Sequence, residues 1–318
     1  MSKITGKLTS RIYLTPSNSE KKTLHLEIAF DEPNHFEPGD SIALDVVNPA
    51  DAVDEWIKKF NKDPNEAALH KKTQEMIPLI DLLTQHVNLQ SVAGGDLETA
   101  RPLMPRFYSI ASSQNVHGNS IHLLVTLDEF LDSEGQMRMG VASHFLSQHL
   151  QVNDVVSFKI FPNHNFRLPE DHLPIIMIGS GTGLAPYKAF LEERLHRNST
   201  GKNWLIFGER SASTHFYYRD FFQNLVNKEK LILSCAFSRD QQEKIYVQHR
   251  LKENIDQFFE LIDLGAIIYI CGDAKVMAKD VVQTIEEMYQ KRFGISQEEA
   301  QSLVKELKRN KKLILDVY

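Results

Sequence analysis

The chain has 318 residues, 42% of them hydrophobic and 25% charged, with a formal net charge of −6. That length can bury two cores of ordinary domain size, and the acidic balance argues against a nucleic-acid-binding surface. No apolar run approaches the roughly 20 residues of a membrane helix, the opening MSKITGKLTSRIYLTP lacks a signal peptide's apolar core, and two cysteines, Cys235 and Cys271, make no disulfide framework and fit a reducing cytoplasm.

In chain order, TLHLEIAF alternates Leu24, Leu26, Ile28 and Phe30 with polar or small residues, as in a strand with one buried face. EPGDSIALDV supplies a turn and then Ile42, Leu44 and Val46 on one face. From about residue 49 to 100 the period shifts toward helix, in DAVDEWIKKF and IPLIDLLTQHV, which reads as a short helical insertion. PRFYSIASS then places Arg106 and Tyr108 on one face of a strand, with Ser109 next to them. SIHLLVTLDEF repeats the strand pattern, and GVASHFL looks like a helix start with Ser143 near its N-terminus. Short strands between Gly, Pro, Asn and Asp turns predict an antiparallel β-barrel or sandwich over residues 1–168.

Past Leu168-Pro169 the runs LPIIMIG, NWLIFG, LILSCAF and AIIYICG are almost continuously apolar, as in strands buried on both faces. Helical patterns lie between them: PYKAFLEERL, YRDFFQNLV, VQHRLKENIDQFFEL and AKVMAKDVVQTIEEMY. A last helix opens on a capping box, Ser296 to Glu299, and leads into LILDV. The alternation predicts a doubly wound parallel sheet over 169–318, with ligands at the carboxyl ends of its strands. Those ends are GSGTGLAP, GER, SRD, CGD and DVY.

IGSGTGLAP joins a strand to a helix, with Gly179, Gly181 and Gly183 at alternate positions, Thr182 between them and Pro186 in the first helical turn. It matches neither the G-x-G-x-x-G fingerprint nor a P-loop, and alone it fits a plain βα turn as well as a phosphate loop. SRD followed by KIYVQ gathers Ser238, Arg239, Lys244 and Tyr246, which suit a phosphate monoester, but Asp240 weakens the charge argument and on this stretch alone an ordinary solvated turn is the better reading. Cys271 in YICGD reads as a small buried hydrophobe or a reactive group, and Asp273 as a turn residue or a ligand contact. The thirteen histidines show no ligand spacing, and HExxH, CxxC and GxSxG are absent, so no metal site is expected.

The ordered set R-x-Y-S, G-x-x-S, G-S-G-T-G-x-A-P, S-R-D, K-x-Y-V-Q, C-G-D and D-V-aromatic resembles the ferredoxin–NADP reductase superfamily. Within it the chain is most similar to the diflavin reductases, above all the FAD/NADPH module of NADPH–sulfite reductase flavoproteins, with a shortened insertion and without their FMN domain. The resemblance implies FAD on the barrel half: Arg106 at its pyrophosphate with Gly140, Val141, Ala142 and Ser143, Tyr108 and Tyr318 against the flavin, and Ser109 near its reactive nitrogen. It implies NADPH on the parallel half: its pyrophosphate over Gly179, Gly181, Thr182, Gly183 and Pro186, with Arg210 nearby. The 2′-phosphate and adenosine would meet Ser238, Arg239, Lys244, Tyr246 and Gln248, with Asp273 also on the nucleotide. Ser109, Cys271, Asp316 and Tyr318 would surround hydride transfer, with Tyr318 as a movable gate. The implied activity is NADPH-dependent reduction of FAD, followed by single-electron delivery to an acceptor protein. That acceptor is a flavodoxin or other FMN protein, a ferredoxin, or a haem or siroheme enzyme. A sulfite reductase component and a non-catalytic FAD/NADP-binding module are the alternatives.

Overall fold

The computed structural model describes residues 3–31, 34–131, 135 and 137–318. Its first half is organised by one antiparallel sheet. The strands are β1 (Ile4–Tyr13), β2 (Thr23–Ala29), β3 (Ser41–Leu44), β6 (Arg106–Ser109), β7 (Ser120–Thr126) and β10 (Val155–Phe161), in the order β6-β3-β10-β1-β2-β7. Beyond β6, Ile110 bridges to Leu123 of β7, so the two edge strands meet. Strand β1 has the weakest pattern, because Gly6 stands among its inward positions and its pairing with β2 slips between Leu8 and Ser10.

Residues 49–100 are not purely helical. Helices α1 (Ala50–Lys59) and α2 (Leu79–Gln85) flank a hairpin of β4 (Ala67–His70) and β5 (Glu75–Pro78). Its strands are four residues each, too short for a period-2 signal to stand out beside the helices. Trp56, Leu79, Leu82, Leu83 and Val92 give the insertion a core of its own, and Trp56 Nε1 donates to Val92 O at 2.7 Å. After the turn of α3 (Gln114–His117), a small pair of strands, β8 (Glu129–Leu131) and β9 (Met137–Met139), precedes α4 (Val141–His144), which runs on into a π-helical turn over Phe145–His149.

The second half is a five-stranded parallel sheet. Strands β11 (Ile175–Ser180), β12 (Asn203–Glu209), β13 (Ile232–Phe237), β14 (Ile267–Gly272) and β15 (Leu313–Val317) lie in the order β13-β12-β11-β14-β15. Helices α5 (Ala185–His196), α6 (Ala212–His215) and α7 (Arg219–Asn227) follow β11 and β12. The opposite face is packed by α8 (Val247–Glu253), α9 (Ile255–Asp263), α10 (Met277–Phe293) and α11 (Gln297–Arg309). The run VQHRLKENIDQFFEL is two helices, broken at Asn254 (φ −110°, ψ 38°), whose side chain bonds back to Arg250 O at 2.7 Å. Ser296 and Glu299 form the expected capping box. Among the described residues no helix is long and apolar enough to cross a membrane.

Strands β2 and β7 are buried on both faces, although their sequences predict one. Their outer faces are covered by the second half. Ala111, Leu124 and Phe166 pack into the core beneath the parallel sheet with Tyr187, Phe190 and Tyr269. Polar ties run alongside: Thr23 Oγ1 to Tyr217 Oη at 3.0 Å, His25 Nδ1 to Tyr218 Oη at 2.9 Å, and Lys188 Nζ to Ala111 O at 3.2 Å. Glu192 accepts from Lys188 at 2.5 Å and from the Ser113 amide at 3.1 Å. Burial opposes ionisation of Glu192, but hydrogen bonds from His117 and Lys188 outweigh it and hold the carboxyl below its ordinary range.

Tyr187 is fully buried, with its Oη 2.8 Å from Ile178 O and 3.0 Å from Tyr269 O, so its proton links β11 to β14. Tyr187→Phe should lower unfolding stability by about 1 kcal/mol in urea titrations; an unchanged midpoint contradicts that role.

Candidate functional site

All five parallel strands end on one side, and there a cavity of about 590 Å³ opens. Of the residues singled out for the nucleotide, Gly181, Thr182, Arg210, Ser238, Tyr246, Gln248 and Asp273 line it, together with Tyr318. Gly179, Gly183 and Pro186 lie behind that lining, and Lys244 is exposed outside it.

The glycine turn has two separate reasons for its composition. Gly181 has φ +57°, a left-handed conformation that side chains disfavour. Gly183 is set by contact, since a Cβ there would stand 2.2 Å from Cys271 O. The turn therefore lies directly on the end of β14 and leads into α5.

The cations sit at the rim. The backbone N–H of Arg239 donates to Arg210 O at 2.7 Å, which ties the loops after β12 and β13 together. Glu20, from the β1–β2 turn, lies 2.9 Å from Arg239 Nη1 and 3.7 Å from Arg210 Nη1. Its neighbour Lys21 lines the cavity and pairs with Glu209 at the end of β12. Neither Glu20 nor Lys21 was visible as a site residue in the sequence, because both lie in a turn remote in the chain. Asp273 Oδ1 accepts from the Val276 and Met277 amides at 2.6 and 3.1 Å, and these bonds lower its pKa. Gln248 Nε2 donates to Asp280 at 3.1 Å.

A second cleft of about 260 Å³ lies on the antiparallel sheet, lined by Arg106, Tyr108 and Gly140–Ser143. The Asp128 amide donates to Ser143 Oγ at 3.1 Å and the Gly140 amide to Asp128 O at 2.7 Å, which hold the α4 start in place. Arg106 Nη1 is spanned back to Met104 O at 2.8 Å, and burial raises the Tyr108 hydroxyl pKa well above its usual value. Asn88 and Gln90 of the insertion also line this cleft, and Thr126 lines both cleft and cavity. No motif marks these three residues.

Between the two spaces the structure gathers Ser109, Cys271 and Asp316. Cys271 and Asp316 are register partners on β14 and β15, with Cys271 Sγ 4.0 Å from Asp316 Oδ2. Ser109 lies close enough to the Asp316 carboxyl for its hydroxyl to pull the Asp316 pKa down. Asn163, unmarked by the sequence patterns, donates to Asp316 Oδ1 at 3.3 Å. Burial, and then the Asp316 charge, push the Cys271 thiol well above its ordinary pKa, so it stays protonated at neutral pH. Tyr318 is 65% exposed, with Oη 2.9 Å from Thr182 Oγ1 and its amide donating to Gly272 O at 3.1 Å. It stands at the cavity mouth beside the cluster.

Comparison with known proteins matches residues 65–145 to the FAD binding domain family and residues 177–283 to the oxidoreductase NAD-binding domain family. The chain is similar to sulfite reductase [NADPH] flavoprotein alpha-components. It is 43% identical to that of Vibrio cholerae over 224 residues, covering 70% of this chain and 36% of the relative. Against Aliivibrio fischeri identity is 44% over 82% of this chain and 43% of the relative. Against Bacillus subtilis it is 31% over 98% of this chain and 60% of the relative. The chain thus spans between about a third and three fifths of these relatives.

Burial raises the Asp316 pKa, against the smaller pull of the nearby Ser109 hydroxyl. A carboxyl raised in the folded state costs stability once the pH exceeds its unfolded pKa. Asp316→Asn should therefore raise the thermal midpoint at pH 7, with the gain shrinking as pH falls toward the ordinary carboxylate value of about 4. A lower midpoint at pH 7 contradicts this.

Proposed function

The chain belongs to the ferredoxin–NADP reductase superfamily as an FAD/NADPH module, and from that premise we propose that it is an NADPH-dependent FAD oxidoreductase serving an acceptor protein. In this reading residues 1–168 form a barrel that holds FAD and residues 169–318 hold NADP(H). The observation that carries it is the meeting of Ser109, from the antiparallel sheet, with Cys271 and Asp316, from the parallel one.

The residues present fit both groups. The cleft offers a cation from Arg106, a flat ring from Tyr108 and the amides around Gly140–Ser143, a set suited to a pyrophosphate beside an aromatic ring system. The cavity offers the glycine turn, with Arg210 and Arg239 at its rim. Two arginines suit a 2′-phosphate, and Ser238, Lys244, Tyr246 and Gln248 complete that end. When bound, NADPH supplies a hydride that FAD accepts and redistributes as single electrons.

The protein's own work is alignment and exclusion of water. Ser109 offers its hydroxyl at the junction, Cys271 a thiol that burial keeps protonated, and Asp316 a carboxyl group that lies beside both. Tyr318, tethered by Thr182, covers the junction and moves aside for nicotinamide. The acceptor is a flavodoxin-like or other FMN protein, a ferredoxin, or a haem enzyme. The names of the relatives favour, as a second reading, a flavoprotein component of a sulfite reductase assembly with a haemoprotein partner.

Purified protein reconstituted with FAD should be yellow and should reduce ferricyanide with NADPH far better than with NADH. Failure to hold flavin sinks this reading. Arg239→Ala should weaken NADPH by about 1–3 kcal/mol in KM while leaving NADH unchanged; equal losses with both would remove the 2′-phosphate from that arginine.

A further inference from the structure

The outer faces of β2 and β7 carry a polar cluster that neither cofactor space uses. His25 and Glu27 are two residues apart on β2 and share a face, and His122 on β7 is the direct register partner of Glu27. One donor atom from each of the three lies within 4.8 Å of the other two. His25 and His122 are 7% and 5% exposed, while Glu27 is partly open to solvent. Although buried, His122 Nδ1 has no hydrogen-bond partner among the described residues. A buried polar nitrogen without a partner is costly to the fold, and a bound ligand would remove that cost.

We propose that His25, Glu27 and His122 form a site for a divalent transition metal of the zinc class, set in the seam between the two halves. Two imidazoles and one carboxylate are a donor set that zinc accepts, with solvent completing the tetrahedron. Zinc–ligand bonds of about 2.0–2.1 Å place tetrahedral donors roughly 3.3 Å apart. His25 Nε2 and Glu27 Oε1 already stand 3.1 Å apart, so closure needs only a small swing of the His122 ring.

The surroundings are those of a metal-bearing histidine. His25 Nδ1 is 2.9 Å from Tyr218 Oη, and donation there leaves the Nε2 lone pair free for a metal. Tyr218 is itself held in a left-handed conformation (φ 52°) at the start of α7. The nearby Lys188 ammonium is already paired with Glu192 at 2.5 Å, so its repulsion of a dication is largely offset. The open side of Glu27 provides entry. A metal here ties β2 to β7 and, through Tyr218, to the parallel-sheet half. The three ligands are too far apart in the chain, beyond the short His25-x-Glu27 pair, for sequence spacing to reveal them.

The test is zinc binding by the purified chain after chelator stripping, desalting and addition of zinc chloride. Atomic emission should find one more equivalent of zinc in the parent than in His122→Ala. The zinc-loaded parent should melt higher than the stripped one. Cobalt(II) should give tetrahedral d–d bands in the parent that Glu27→Gln loses; that half-open position preserves the fold if His122→Ala does not. The ring pairs His70–His86 and His144–His149 bind elsewhere if at all, and remain intact in both variants. Equal zinc in the parent and both variants, or none in the parent, overturns the site.

Discussion

Everything at the junction depends on the buried seam between the antiparallel and parallel sheets. Phe166, Leu124 and Ala111 enter the same core as Tyr187, Phe190 and Tyr269, so the first half supplies part of the packing under the second. Burial of large aromatic side chains provides most of the attraction, at about 25 cal/mol per Å² of apolar surface removed from water. The polar ties from Thr23, His25 and Lys188 then select one orientation, because each would leave a buried group unpaired if the halves slid. Ser109 meets Asp316 only because that orientation is fixed. Asp40 adds a second anchor: buried, it accepts from the Asn163 amide at 2.9 Å and pairs with Arg167, which steadies the loop that carries Asn163 to Asp316.

The junction itself is built against the protein's stability. A buried thiol beside a half-buried carboxyl gains little from ordinary packing, and the carboxyl is desolvated with no cation paired to it among the described residues. Such strain is tolerated where the chemistry needs it. The glycine turn shows the same economy of space, since Gly183 lets it rest on Cys271 O and so brings the lining of the cavity and the thiol within one short stretch of backbone.

The parallel half was largely legible in the sequence, because strands buried on both faces write continuous apolar runs and their helices write a different period. Topology alone put the ends of its five strands on one side, where the cavity opens. What the sequence did not reveal came from contact between distant segments. The second buried face of β2 and β7, the reach of Lys21 to Glu209, and the contact of Asn163 with Asp316 arise only when the halves dock, while Asn88 reaches its cleft only when the insertion folds against the antiparallel sheet. The hairpin within residues 49–100 was hidden for a different reason: strands of four residues carry too little pattern to outweigh the helices beside them.

Under the proposed function one junction lets nicotinamide and flavin react directly. Anaerobic stopped-flow reduction of the FAD-loaded protein by NADPH deuterated at one or the other C4 position tests this most directly. Flavin bleaching should show a primary isotope effect for one stereoisomer and none for the other. Bleaching at the same rate with both isotopomers and with unlabelled NADPH, or no bleaching at all, would contradict it.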